Sequence, residues 1–75
     1  MVKCDMASLP SGTRARIVTI LGGLGLSRRL MEMGFTPGAE IEIVNNSGGP
    51  ILVRIRGVVI AVGRGVARRI IVETA

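Results

Sequence analysis

Residues 26–44 read LSRRLMEMGFTPGAEIEIV, and within them a helix pattern is followed directly by a strand pattern. At 100° per residue, Leu26, Leu30 and Met33 share one stripe of a helix, which is typical of a helix that packs one face against a core. We therefore predict a short amphipathic helix at about 24–34.

The end of this helix and the turn after it carry equally clear signals. Gly34 suits the left-handed conformation that ends many helices, and Phe35 is then placed to fold back onto the last helical turn. Pro37-Gly38 suits the centre of a type II turn, because proline presets φ and glycine accepts a positive φ. Residues 40–43 alternate between glutamate and isoleucine, which predicts a strand with its isoleucines in the core.

Strand patterns also occur on both sides of this stretch. The four further predicted strands are 13–21, 51–56, 58–62 and 69–73. In the first of them Thr19 is expected to face inward, and in the central hairpin Ile43 is expected opposite Val53. The two-residue connection Arg56-Gly57 should form a tight hairpin that also turns Val58 inward. The main predicted core residues are Ile17, Leu30, Ile41, Ile43, Val53, Ile55, Ile60, Ile70 and Val72.

These elements predict a mainly β fold in which five short strands surround one core. One short helix is inserted after the first strand, an arrangement that indicates a small SH3-like barrel whose closure removes exposed strand edges. An OB-like barrel is the alternative, although its helix normally lies between later strands. On the outer face, Glu42 is expected opposite Arg54 and Glu40 opposite Arg56, as paired charges.

Length and composition place the chain among small folded proteins. We expect residues 1–75 to form one domain, because 75 residues can bury only one modest core. Ten basic and five acidic residues give a net charge of +5, which suits an acidic protein partner, an anionic membrane surface or nucleic acid. We see no signal-peptide pattern and no run long enough to span a membrane, and a single cysteine fits a reducing compartment, so we expect a cytoplasmic protein.

The residues that enzymes and metal sites need are scarce. There is no histidine, so the usual general base near neutral pH is missing, and the chain is not expected to be an enzyme or to carry a cofactor. Cys4 and Asp5 supply two metal ligands at most, whereas iron and zinc sites need several that converge. The sequence thus predicts no metal site and leaves open weak metal binding at these two residues.

The positive signal is apolar and basic surface, which is typical of a protein interface. The residues predicted to bind a partner are Leu24, Arg28, Met31, Arg54, Arg56, Val59 and Ile71. Nucleic acid is the rival partner for the basic residues, but single strands are gripped by stacking on aromatic side chains. The one aromatic residue, Phe35, is expected in the core, so nucleic acid is disfavoured.

The chain resembles a known family over nearly its whole length, and the most specific match is RLMEMGFTPG at residues 29–38. Weaker matches precede and follow it, including LPSG at 9–12, SGGP at 47–50 and the closing A-x-x-I-x-V at 67–72. Taken in order, these motifs resemble the ferrous iron transport protein A family, FeoA. The resemblance implies an SH3-like barrel without enzymatic activity.

The same resemblance implies a cytoplasmic accessory protein that docks onto FeoB, a membrane ferrous-iron permease with a cytoplasmic GTPase domain. The chain would then be associated with the membrane only through its partner, and self-association into a homo-oligomer stays open. Two other functions also stay open. One is nucleic-acid binding by a small basic barrel, and the other is an interaction module like the SH3-like domain of iron-dependent repressors.

Overall fold

The computed structural model describes residues 2–74, which form six strands and two helices. The strands are β1 (Val2–Asp5), β2 (Arg14–Ile20), β3 (Glu40–Asn45), β4 (Ile51–Ile55), β5 (Val58–Val62) and β6 (Ile70–Thr74). The helices are α1 (Leu24–Glu32) and the single turn α2 (Arg64–Ala67), with a 3₁₀ turn at Met6–Ser8. All paired strands are antiparallel, and their order in the sheet is β1-β6-β2-β3-β4-β5.

This architecture confirms the mainly β fold with a helix after the first core strand, but the predicted number of five strands is wrong. The additional strand is β1, which is not among the strands predicted from the sequence. It pairs with the last strand in a register that sets Lys3 opposite Glu73 and Cys4 opposite Val72. The weak alternation of β1 hid this strand, because an edge strand of four residues needs little apolar pattern.

The helix end follows the predicted geometry closely. The N–H of Phe35 donates to the carbonyl oxygen of Leu30 over 3.0 Å, and the N–H of Gly34 donates to that of Met31 over 3.0 Å. Gly34 has φ = 102°. Together these bonds form a Schellman motif, which returns Phe35 to the core beside Leu30.

One member of the predicted helical stripe is misplaced. Leu30 is buried and Leu26 packs against the core, but Met33 is 41% exposed. Met33 is the C-cap residue, so the helix ends before its side chain can join the buried stripe. Phe35, which is completely buried, fills the core below the helix end instead.

The first core strand departs from simple alternation at one point. A register shift lies between Ile17 and Thr19 in the pairing of β2 with β6. Such a bulge inserts one residue and turns the following side chains to the opposite face. Thr19 is therefore exposed rather than inward as predicted, and Ile20 packs against the core instead.

The central hairpin confirms the predicted register but not all of its charge pairs. Ile43 lies opposite Val53 and both are buried, and Glu42 lies opposite Arg54. The predicted pairing of Glu40 with Arg56 is wrong, because Glu40 lies opposite Arg16 on the other neighbouring strand. β3 is an inner strand, so each of its glutamates has a choice between two neighbours.

The β4–β5 hairpin turns through Arg56-Gly57, as predicted. Arg56 has φ = 51° and Gly57 has φ = 79°, which is the positive pair that a type I′ turn requires. Ile55 lies opposite Val58 in this register. Val58 is nevertheless 58% exposed, so the prediction that it faces the core is wrong; β5 is the last strand of the sheet and its start extends past the core.

The core is a single cluster to which β2–β6, both helices and the 3₁₀ turn contribute. Its members are Met6, Leu9, Ala15, Ile17, Leu30, Phe35, Ile41, Ile43, Ile51, Val53, Ile55, Val62, Ala67, Ile70 and Val72. Of the nine main predicted core residues, only Ile60 is outside this set, and it packs against it while half-buried. Because one face of β2–β6 covers a single cluster, the sheet must curl around it. Within residues 2–74, no helix is long and apolar enough to cross a membrane.

Candidate protein-interaction surface

The outward side of α1 is the most apolar exposed surface on a helix of this chain. Leu24, Arg28 and Met31 are spaced at i, i+4 and i+7 and therefore share one face. Leu24 is 80% exposed and Met31 is 44% exposed. With Ser27 and Glu32 they line a shallow groove that is open to solvent. We call these five residues the helix groove.

The outer face of the sheet, by contrast, carries charges that compensate one another across neighbouring strands. The row from β1 to β3 consists of Lys3, Glu73, Arg16 and Glu40. A second row, from β2 to β4, consists of Arg14, Glu42 and Arg54. Arg16 Nη2 lies 2.9 Å from Glu40 Oε1, and Arg54 Nη1 lies 2.7 Å from Glu42 Oε1. Pairs of this kind add little stability when exposed, but they cancel the field of the sheet face.

The net positive charge of the chain consequently lies elsewhere. The two rows contain four cations and three anions, a net charge of +1, so the other six arginines and two acidic residues carry +4 of the total of +5. Arg28 and Arg29 are two of these arginines, and both are exposed on α1. The ion pairs within residues 2–74 are the two on the sheet. Glu32 therefore makes no direct ion pair with Arg28 or with Arg29.

Two further arginines lie at the ends of α1. A Cβ added to Gly34 would lie 3.6 Å from both Cδ and Nε of Arg56, so this side chain covers the C-terminus of the helix. A cation is favoured there by the helix dipole. At the other end, a Cβ added to Gly22 would lie 3.3 Å from Nη1 of Arg69 and 3.3 Å from Cδ2 of Leu26. Positive charge therefore borders the helix groove: Arg28 and Arg29 lie on α1 itself, and Arg56 and Arg69 lie at its two ends.

The remaining predicted partner-binding residues do not join this surface. Arg54 lies opposite Val59 on the neighbouring strand, and Val59 is 46% exposed. The guanidinium of Arg54, however, forms an ion pair with Glu42. Ile71 is half-buried on β6, and three strands separate it from Val59 in the sheet order. Four strand spacings amount to about 19 Å along the sheet. Val59 and Ile71 therefore do not lie side by side on the sheet, and their part in partner binding stays a prediction.

Asn46 forms a junction that sequence reasoning missed. Its Nδ2 donates to the carbonyl oxygens of Ala7 over 3.0 Å and Leu9 over 2.6 Å. Its Oδ1 accepts a hydrogen bond from Arg64, whose Nε also donates to the carbonyl oxygen of Gly48 over 3.2 Å. The junction ties the 3₁₀ turn, the β3–β4 loop and α2 together, so Arg64 is engaged internally. The only sequence signal was an Asn among several turn-forming residues.

The two possible metal ligands are separated by strand geometry. Cys4 packs against the core, and successive residues of a strand point to opposite faces, so the carboxylate of Asp5 is directed away from the Cys4 thiol. Among residues 2–74, no group of three or more His, Cys, Asp or Glu side chains is placed to hold a metal ion. The geometry thus gives no support to a joint site at these two residues.

Comparisons with known proteins agree over nearly the whole chain. Residues 4–74 match the family model of the FeoA domain. The chain is 34% identical over 70 residues to the Methanocaldococcus jannaschii protein named Fe(2+) transport protein A, which covers 93% of this chain and 85% of that protein.

Solved structures give the same result. A crystal structure of an iron uptake regulatory protein, FeoA, is 35% identical with a TM-score of 0.92 and covers 100% of both chains. FeoA from Stenotrophomonas maltophilia, a procaryotic SH3 domain protein complexed with zinc, is 29% identical with a TM-score of 0.80 and covers 92% of this chain and 88% of that chain. The predicted SH3-like fold is therefore confirmed.

A repressor shares the fold but only as part of a longer chain. IdeR from T. acidophilum is 24% identical with a TM-score of 0.88, and the match covers 100% of this chain but 35% of that one. At this identity the likeness shows the fold alone, and it gives no separate support to a repressor-like role.

Proposed function

Since this chain belongs to the FeoA family, we propose that it is an accessory protein of ferrous iron transport that docks onto the FeoB permease through the helix groove. The family is one of transport accessory proteins rather than of enzymes, and docking rather than catalysis is accordingly the proposed activity. The proposal places the chain on the cytoplasmic side, against the soluble part of the permease.

The observation that carries this proposal is the coincidence of apolar exposure with a net positive charge on α1 and at its two ends. Leu24 and Met31 extend into solvent on either side of Arg28. Interfaces draw most of their affinity from a few residues that become fully buried, and methionine adapts well to an irregular partner surface. These two side chains are the proposed anchors.

The arginines around the groove have a different part. Arg28, Arg29, Arg56 and Arg69 lie on α1 or at its ends, and exposed charges of one sign chiefly raise the rate of association with a surface of the opposite sign. The proposed contact on the permease is thus an acidic surface with an apolar centre. The chain would be oriented before contact because its sheet face has little net charge.

Nucleic acid fits the same observations less well. Arg16 and Arg54, which would contact phosphates from the sheet face, are engaged with glutamates. Phe35 is the only aromatic residue and is completely buried, so no aromatic side chain is available to stack on a base. No observation favours this second function.

The test is a titration of the purified FeoB cytoplasmic domain with matched variants. Met31→Asp should weaken binding at least about tenfold, because it places a charge where an anchor is to be buried. Val2→Asp is the control: Val2 is also exposed and apolar but lies on β1, and its replacement should leave the affinity nearly unchanged. Equal affinities for the two variants, with circular dichroism showing both folded, would reject the helix groove.

A second pair of variants separates steering from anchoring. Arg28→Ala should slow association several-fold and reduce its dependence on salt, with little change in the dissociation rate. Arg14→Ala removes an equal charge from the compensated sheet face, opposite Glu42, and should affect the association rate less. The reverse order of these two effects would contradict the proposed orientation.

A further inference from the structure

The closed sheet that the sequence predicted would have no edges, but the sheet of this chain ends on both sides. β1 and β5 are the terminal strands of the six-stranded order, and within residues 2–74 β5 pairs with β4 alone. An unpaired edge strand is a template for another strand. The two edge strands differ in how well they are protected against such pairing.

Val59 and Ala61 carry the backbone groups that face this open edge. In an antiparallel pair, residues alternate between those that bond to the partner strand and those whose N–H and C=O point away. A two-residue turn makes Ile55 and Val58 a bonded pair, so Val58, Ile60 and Val62 bond to β4. Val59 and Ala61 therefore direct two N–H and two C=O groups outward.

The edge at β5 is also unguarded. Natural proteins protect exposed edges with charges, prolines or bulges. The opposite edge strand has Lys3 and Asp5 among its four residues. β5 reads VVIAV and contains no charged residue, no proline and no register shift. Only one of the two edges of the sheet thus lacks the usual protection.

We propose that β5 pairs with β5 of a second copy of this chain to form a two-fold symmetric dimer. With the axis at Ile60, Val59 of each copy lies opposite Ala61 of the other, and the outward backbone groups of both copies make four hydrogen bonds. Val58 then lies opposite Val62 of the second copy. This contact covers the Val58 side chain, which the monomer leaves 58% exposed.

The arginines that flank β5 do not oppose pairing with a second copy. In this register Arg56 comes opposite Arg64 of the other copy, an arrangement that would be repulsive if both heads pointed at the edge. They do not, because Arg56 lies against Gly34 at the end of α1 and Arg64 is bonded to Asn46 and Gly48. The strand that remains at the edge is neutral and complementary to itself.

The dimer is expected to be weak and to leave the helix groove free. Five residues per copy bury far less than the roughly 800 Å² per partner of a standard stable interface. Self-association should therefore depend on concentration in the micromolar to millimolar range. The contact involves no residue of the groove, so the inference is independent of the proposed docking to FeoB.

Sedimentation equilibrium of the full chain across that range is the test. The wild type should pass from monomer to dimer. Ala61→Pro removes an outward N–H without breaking a bond to β4, and it should weaken the dimer at least about tenfold. Ala61→Val keeps the N–H and should leave the dimer intact. A wild type that remains monomeric at millimolar concentration would overturn the proposal.

Two further results keep the test decisive. In amide exchange of the wild type, the N–H groups of Val59 and Ala61 should become protected as concentration rises, while that of Ile60 is protected throughout by β4. This measurement decides the case even if Ala61→Pro fails to fold. A dimer that is lost in Met31→Asp but kept in Ala61→Pro would place the contact on α1 and overturn the assignment to β5.

Discussion

Replacement of Asn46 by alanine is predicted to cost more stability than any other exposed or half-exposed polar change in this chain. The side chain donates two hydrogen bonds, to Ala7 and Leu9, and accepts one from Arg64. It joins three segments that are distant in sequence, and the described residues contain no other side chain that does so through hydrogen bonds. Its loss should loosen one end of the sheet.

The size of the effect follows from those three bonds. Each hydrogen bond of this type contributes about 0.5–1.5 kcal/mol net, and a partner left without a bond in a half-buried site adds to the loss. Water can reach part of the junction and replace some of the bonds. We therefore expect Asn46→Ala to lower the free energy of unfolding by about 2–3 kcal/mol, a large share of the stability of a small domain.

Urea denaturation followed by circular dichroism measures this directly, and the neighbouring residue provides the control. Asn45 is exposed at the end of β3, and its side chain makes no hydrogen bond within residues 2–74. Asn45→Ala should change the free energy of unfolding by less than about 0.5 kcal/mol. If the two alanine variants are equally stable, the junction does not hold the loops together and the reasoning is refuted.

Three further stability predictions can be measured by the same denaturation. Gly34→Ala should cost about 1–2 kcal/mol through its positive φ alone, since the added Cβ would meet its neighbours at ordinary contact distances of 3.6 Å or more; a cost above about 4 kcal/mol would indicate a clash instead. Gly65→Ala, in α2 with open space around its Cβ, should be neutral or stabilising, and a loss of stability there would contradict the helical turn. Leu30→Ala should lower the free energy of unfolding by about 2–5 kcal/mol. Met33→Ser should lower it by less than about 0.5 kcal/mol, because Met33 is outside the core. Equal losses for the two variants would show that Met33 is buried with Leu30.

The fold could be predicted from local signals wherever one residue type satisfies one strict geometric requirement. Gly34 ends α1 and Gly38 has φ = 90° in a turn closed by a bond from the N–H of Ala39 to Thr36, both as the sequence indicated. The Ile43–Val53 register was predictable because a slip by one residue would expose every isoleucine of β3.

The errors have a common physical origin, which is that they depend on neighbours distant in sequence. The bulge before Thr19 arises in the pairing of β2 with β6, and periodicity within one strand carries no sign of it. Val58 is exposed because, within residues 2–74, no strand pairs with the outer side of β5. Glu40 pairs with Arg16 because Arg56, the position expected opposite it on the other side, lies in the hairpin turn beyond the end of β4.

The candidate site was only partly predictable for the same reason. Leu24, Arg28 and Met31 came together because helical spacing alone places them on one face. The sequence could not show that positive charge is concentrated around these residues rather than on the sheet. That difference arises because the sheet charges compensate one another across neighbouring strands. The docking role of these residues stays a prediction, as does the assignment of residues 1–75 to one domain.

The most direct test of docking through α1 is to map the contact on this chain by nuclear magnetic resonance. The ¹⁵N-labelled protein would be titrated with the unlabelled FeoB cytoplasmic domain, and the amide signals would be followed residue by residue. If docking occurs through α1, signals of 24–33 and of Arg56-Gly57 shift or broaden first, while those of β1 and β6 stay unchanged. Perturbations confined to the sheet, with α1 unaffected, would contradict docking through this helix.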